Sequence, residues 1–274
     1  MVNVTPVEGL SYYMDDKLQK NLDEKVTKAL HQQDEDYVLV VDGYEGTGKS
    51  VMAMQVGKYV DPSLNLDRIC FTPDEFRKAV VKATKGQCVI FDEAYRGFGA
   101  SSALSEVNRI LKSQMIEMRQ KNLFVIIVLP TFYILEKYVA IWRTKCLIHV
   151  FKSKGRKGYW RLFNKRKKQM LYLNPIGKRY FTYGHVRTGF KGRFYNIYVV
   201  NEKEYRDKKA DSFKKGYKIT RNEKYMLQRD RLLYGMYNKN GLTLSELADF
   251  CKESGVHLKK TQLSLITGKF KGQV

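Results

Sequence analysis

Eight consecutive residues constrain this chain more than any others: Gly43-Tyr44-Glu45-Gly46-Thr47-Gly48-Lys49-Ser50. They satisfy G-x-x-x-x-G-K-[ST], and they stand in the context that pattern requires. Before them, Tyr37-Val38-Leu39-Val40-Val41 reads as a buried strand; after them, Val51, Met52, Met54, Gln55 and Val56 open a helix. A glycine turn at that junction lets backbone N–H groups close round phosphate oxygens, beside a helix N-terminus that favours anions. Gly43, Gly46, Thr47 and Gly48 would form the cradle, and Lys49 would reach the β- and γ-phosphates. The Ser50 hydroxyl would ligate Mg²⁺. The expectation is a bound nucleoside triphosphate, taken as ATP with Mg²⁺; the competing reading is a glycine turn that binds nothing.

A second signature lies about two strands further on. Cys88-Val89-Ile90-Phe91 is an apolar strand that ends in Asp92-Glu93. At the strand's C-terminal end Asp92 would join Ser50 in holding Mg²⁺. Glu93 would polarise the water that attacks the γ-phosphate, or else serve only as a helix cap or turn residue.

Between and after these motifs, strands alternate with helices. Arg68 to Phe71 reads as a strand, and Thr72-Pro73-Asp74-Glu75 carries the marks of a helix start, with Thr72 as N-cap. A long helix is expected from about Leu104 to Lys121, a strand over Leu123–Leu129, a helix over Phe132–Trp142 and a strand over Lys145–Phe151. Such alternation defines an α/β fold with a parallel sheet covered on both faces. The texture then changes. Tyr159–Phe163, Gln169–Leu173 and Tyr195–Val200 read as short strands, joined by exposed basic loops at 153–158 and 165–168. The last 55 or so residues read as helices, with a capping box at Thr243 and Glu246. Four segments follow: a helical leader (1–36), the nucleotide-binding core (37–151), a basic β-rich extension (152–202) and a small helical domain (203–274).

Charge is the other strong signal. The net charge is +22, and between Glu136 and Glu202 there are 17 Lys and Arg and no acidic residue. By contrast the first 36 residues hold eight acidic and four basic side chains. A single-sign field of this kind concentrates polyanions, of which nucleic acid is the most obvious. Lys152, Lys154, Arg156, Lys157, Lys165, Arg166, Lys167 and Lys168 are the expected phosphate contacts. A solvated basic surface with no partner is the alternative, and an anionic membrane surface fits less well because no basic amphipathic helix is expected here. Near the C-terminus, Lys259 and Lys260 open a short helix after a glycine turn, an arrangement open to two readings: a DNA-contacting helix-turn-helix or plain helix packing. No apolar run approaches the roughly 20 residues a membrane span needs. The N-terminus lacks the apolar core of a signal peptide. The four cysteines are scattered without C-x-x-C pairing, which reads as buried free thiols in a cytoplasmic protein.

Gly43–Ser50 resembles a Walker A motif, and Cys88–Ala94 resembles a Walker B motif followed by a catalytic glutamate. The order of elements is similar to that of the P-loop ATPases with an additional strand between the two motifs (the RecA/ASCE-like class). Met118-Arg119-Gln120-Lys121-Asn122 ahead of an apolar strand makes 37–151 similar to FtsK/HerA-type translocases and viral DNA-packaging ATPases. Zot-like proteins share the pattern but usually carry a membrane span. The resemblance implies a homo-oligomeric ring with nucleotide at the subunit boundary. It places Arg119 as an arginine finger acting in trans and Thr131 as a residue near the γ-phosphate. Read from the residues alone, the alternative for Arg119 is a surface arginine paired with Glu117 or another helix neighbour.

Three functions are therefore carried forward. The first is an ATP-hydrolysing motor on double-stranded DNA, of the packaging or translocating kind, with a portal or other assembly partner. The second is an ATP-dependent DNA-binding switch, such as a replication initiator, helicase loader or partition-like regulator. The third is a nucleotide or small-molecule phosphotransferase.

Overall fold

The computed structural model describes residues 2–7, 10–92, 100–215 and 221–270. Contacts divide the chain into two units, Met1–Gly216 and Tyr217–Val274.

The first unit begins with an antiparallel hairpin, β1 (Val2–Val7) and β2 (Leu10–Met14). A helical stretch follows: α1 (Asp16–Asn21), a π-helical turn over Leu22–Thr27, and α2 (Lys28–Gln32). The expected helical leader thus has a β-hairpin ahead of it. Next come β3 (Tyr37–Asp42), α3 (Lys49–Val60), β4 (Ile69–Cys70), α4 (Pro73–Lys82), β5 (Cys88–Phe91), α5 (Ala100–Gln120) and β6 (Phe124–Leu129). Thr72 caps α4 through the Glu75 N–H, as its sequence demands. Beyond β6 lie β7 (Cys146–Ser153), β8 (Arg156–Phe163), α6 (Lys165–Leu173), α7 (Pro175–Tyr180), β9 (Lys191–Arg193) and α8 (Glu202–Lys215).

Seven strands form one sheet in the order β4-β5-β6-β3-β7-β8-β9. The pairs from β4 to β7 are parallel, and β8 and β9 join antiparallel at the far side. Burial on both faces explains the unbroken apolar runs. Leu39, Val41, Ile126 and Val128 enter one core with α3, while Val38, Val40, Val125 and Ile127 enter the other with α4. The ends of β3, β5, β6 and β7 that follow Asp42, Phe91, Leu129 and Ser153 therefore share one edge of the sheet.

Three local expectations fail, each because a tertiary contact outbids local preference. The helix expected over Phe132–Trp142 breaks into a 3₁₀ turn (Phe132–Ile134) and a π-helical turn (Val139–Arg143). Here the Phe132 N–H is drawn to the Asp42 carboxylate at 2.7 Å, and the Leu135 carbonyl accepts from the Tyr172 hydroxyl at 2.7 Å. Tyr195–Val200 is not a strand, since the Tyr195 and Ile197 carbonyls accept from the Gln55 amide of α3 at 2.8 Å each. The third case is α6. The basic loop and the strand Gln169–Leu173 are one helix, capped by Asn164, which buries Lys168, Leu171 and Tyr172 on a single face.

Lys168 is thus not a phosphate contact: it is fully buried, and its ammonium donates to the carbonyls of Ala140 and Ile141 in the π-helical turn. Burial pushes its pKa down from 10.5 to about 8. The unfolded chain then holds this proton over a pH range in which the folded chain releases it. Stability from this group accordingly rises with pH from about 8 to 10.5, by on the order of 3 kcal/mol. Urea unfolding at several pH values should show that the difference between wild type and Lys168→Met narrows or reverses in favour of wild type across this window. A difference independent of pH would mean that the lysine is not buried charged below pH 8.

The second unit contains α9 (Arg221–Lys239), α10 (Leu244–Glu253) and α11 (Lys260–Lys269). They close on Leu233, Leu247, Cys251, Leu263 and Ile266. The Thr243–Glu246 capping box is formed in both directions. All four cysteines are free and buried.

Candidate functional site

The loop after β3 has room for little besides glycine at its first position. Gly43 has φ of 143°, and a Cβ there would stand 2.0 Å from the Val150 carbonyl oxygen on β7. Gly48, with φ of 97°, turns the chain into α3 and lies against the Phe194 ring, 3.1 Å from where a Cβ would be. Inside the turn, Thr47 Oγ1 and Lys49 Nζ both donate to the Tyr44 carbonyl, at 2.8 and 2.9 Å. Ser50 follows on the first turn of α3.

Ser50 Oγ lies 3.1 Å from Asp92 Oδ1 at the end of β5. These residues are 42 positions apart in sequence and come together because β5 and β3 run parallel with β6 between them. Asp92 is 1 % exposed. Its other oxygen accepts from the Tyr205 hydroxyl and stands 3.8 Å from Lys209 Nζ, both on α8. Burial, and then the Asp92 charge, push the Tyr205 phenol far above its ordinary value, so it remains a donor. A serine hydroxyl beside an aspartate is a hard-oxygen pair that suits Mg²⁺. Among the described residues no cluster of three or more His, Cys, Asp or Glu forms a metal site of another kind. Glu93 lies outside the described residues, as does the rest of the segment to Gly99.

A cavity of about 690 Å³ opens over this loop. Lys49, Lys157, Arg193, Arg206 and Lys209 face it, against one carboxylate, Glu45, among the described lining residues. Phe194, Tyr195, Tyr198 and Tyr205 give it an aromatic side. Chemically such a lining suits a multiply charged anion with a flat apolar part.

Behind the loop, Asp42 is completely buried and accepts three bonds. They come from the Phe132 N–H (2.7 Å), the Tyr183 hydroxyl and the His149 ring at Nδ1 (2.8 Å). Tyr183 stacks on His149 with ring centroids 3.8 Å apart. Thr131 belongs to this network, its hydroxyl 3.0 Å from that of Tyr183, and is not part of the cavity wall.

Arg119 ends α5 at the edge of the sheet opposite the Gly43–Ser50 loop. The length of β6 separates the two edges, roughly 20 Å at a strand's rise per residue. It is exposed and lies near Glu35, whose carboxyl is held below its ordinary value chiefly by Lys145, with Arg119 and Lys165 contributing. Within its own chain Arg119 is remote from the loop.

The basic candidates separate onto two edges. Lys152, Lys154, Arg156 and Lys157 are exposed on the β7–β8 hairpin, at the loop's edge of the sheet. Lys165 and Arg166 are exposed and Lys167 half-buried at the start of α6, on the opposite edge. In the second unit Lys259 and Lys260 are exposed where α11 begins.

Tyr205, Lys209, Arg193 and the Asp42–His149–Tyr183 network escaped the sequence reading. Asp92 lies more than a hundred residues from Tyr205 and Lys209, as Asp42 does from His149 and Tyr183, and no short motif marks such pairs. Neither a protein-family model nor a curated protein matches the chain.

Proposed function

We propose that this protein is a P-loop ATPase that binds Mg–ATP over Gly43–Ser50 and couples its hydrolysis to work on DNA. The observation that carries the reading is the meeting of Ser50 and Asp92 at 3.1 Å, from two strands separated by a third. The loop's N–H groups and Lys49 bind the phosphates, and the aromatic side of the cavity accepts the nucleoside. Ser50 and Asp92 would hold Mg²⁺, which would supply positive charge against the phosphates. Glu93, next in the chain, activates water.

DNA contact falls to the β7–β8 hairpin, because its cations project from the same edge as the nucleotide loop. Contact with phosphates alone makes binding largely independent of sequence. A ring of subunits, with Arg119 reaching a neighbour's nucleotide, accounts for its distance from the loop of its own chain. Among the described residues no helix is long and apolar enough to cross a membrane.

Two measurements test this. Long double-stranded DNA should stimulate steady-state ATP hydrolysis by wild type; turnover indifferent to DNA would remove the motor reading and favour the switch or the phosphotransferase. In addition, Lys152→Ala/Lys154→Ala/Arg156→Ala should flatten the slope of log affinity against log salt by up to ~3. An unchanged slope would take the hairpin out of the DNA path.

A further inference from the structure

We propose that Lys209, on α8 of the same chain, is the cation that touches the γ-phosphate during hydrolysis, with Tyr205 as the positioning residue for Asp92. The inference rests on the ATPase reading above and assigns to α8 a role that the loop and β5 do not fill.

The geometry is specific to one end of the cavity. Asp92 presents Oδ1 to Ser50 at 3.1 Å, while Lys209 Nζ stands 3.8 Å from Oδ2 and also faces the cavity. A phosphate chain laid over the loop brings its γ end toward Ser50 and Asp92, and therefore toward this ammonium. The side chain is guided rather than loose. Its ammonium lies 5.9 Å from the Phe71 ring centroid and 5.7 Å from that of Tyr205. The helix beneath it is fixed at two points. Lys208 donates to the carbonyls of Leu66 and Ile69 at 2.6 and 2.7 Å, and Tyr205 donates to Asp92.

Three other cations fit this task less well. Lys49 belongs to the loop, and Arg119 reaches no nucleotide of its own chain. Arg206 is held back along α8 by Glu202, at 2.6 and 2.8 Å. In the reaction, water oxygen bonds to the γ-phosphorus and the bond from that phosphorus to the β–γ bridging oxygen breaks. ADP leaves with the electron pair, and the water proton passes to the general base. Lys209 exchanges the Asp92 carboxylate for a γ-phosphate oxygen and meets the charge that grows there.

The test uses the full chain. A fluorescent ATP analogue measures binding, single-turnover assays at saturating ATP measure the chemical step, and thermal unfolding checks the fold. Lys209→Met, which keeps the packed stem, should bind the analogue almost as wild type does yet hydrolyse about 100-fold more slowly. Lys209→Arg should recover part of the rate. Tyr205→Phe should raise the Mg²⁺ concentration needed for half-maximal rate, a change that a purely structural role would not produce. Mixing Lys209→Met with Lys49→Ala should restore nothing, since both defects fall in one chain's site. An unchanged rate with Mg²⁺ required at lower concentration would show that Lys209 only balances Asp92, and overturn the proposal. Restoration on mixing would move the cation to a neighbouring chain and overturn it too. Wild type that binds no ATP analogue would sink the ATPase reading itself, whereas normal binding and turnover in Lys209→Met would sink this inference alone.

Discussion

Lys49→Ala is expected to reduce ATP turnover by ~10³-fold or more, with nucleotide binding weakened as well, while the protein stays folded. Loss of one preorganised charge partner of a transition state typically costs ~10²–10³ in rate. Lys49 should do more than that, because in the proposed ATPase it also belongs to the loop that would receive the ground-state phosphates. Its Nζ donates to the Tyr44 carbonyl at 2.9 Å, across the turn it closes. The ammonium is thereby held above the start of α3, where backbone N–H groups already favour an anion. Removing it takes away a charge without opening the core, since Lys49 is only half-buried. Urea unfolding should accordingly move by well under 1 kcal/mol, the range of substitutions that disturb no packing. The assay pairs turnover with analogue binding. A variant that retains wild-type turnover would show that the loop holds no triphosphate. Loss of activity accompanied by loss of fold would be explained by neither argument, and circular dichroism separates that case.

Much of this site could be read from the chain, and the reason is local. The Gly43–Ser50 pattern encodes its own geometry, because Gly43 and Gly48 adopt backbone angles that other residues resist. The strands β3, β5 and β6 were readable because both faces are buried, which leaves an uninterrupted apolar run. Thr72 and Thr243 announced their helices through side chains that bond within four residues. What stayed hidden is what depends on distance. Lys168 looks like any lysine of a basic stretch until α6 turns it toward the carbonyls of Ala140 and Ile141. A short apolar run such as Gln169–Leu173 satisfies helix and strand periodicities alike, and packing decides between them. Tyr205 and Asp92 are 113 residues apart, and nothing near either one announces the other.

The same distance dependence makes Asp42 a vulnerable point in the stability of the Gly43–Ser50 loop. It immediately precedes Gly43, and its carboxylate gathers Phe132, His149 and Tyr183 from three later parts of the chain. Asp42→Ala would take the shared carboxylate from three groups in a fully buried space: the Phe132 N–H would keep only its 3.1 Å bond to the Tyr183 hydroxyl, that hydroxyl only Thr131, and the His149 ring would lose its partner at Nδ1. Breaking a buried polar set by deleting its shared member costs ~3–5 kcal/mol. That is a large share of the ~5–15 kcal/mol by which domains are stable. Asp42→Asn should cost less, because one amide oxygen still accepts from the Phe132 N–H and the Tyr183 hydroxyl while the amide nitrogen can donate to the His149 ring. The order wild type, Asn, Ala in urea midpoint is the expected result. Equal losses for Asn and Ala would mean that the negative charge, not acceptor geometry, holds the three groups. Little loss in either would mean that the network forms without Asp42. Because Gly43 follows directly, even the Asn variant should bind the ATP analogue more weakly than wild type. Tyr183→Phe should show a smaller loss of the same kind, since Asp42 keeps its bonds to Phe132 and His149 and the Thr131 hydroxyl keeps the Tyr133 N–H.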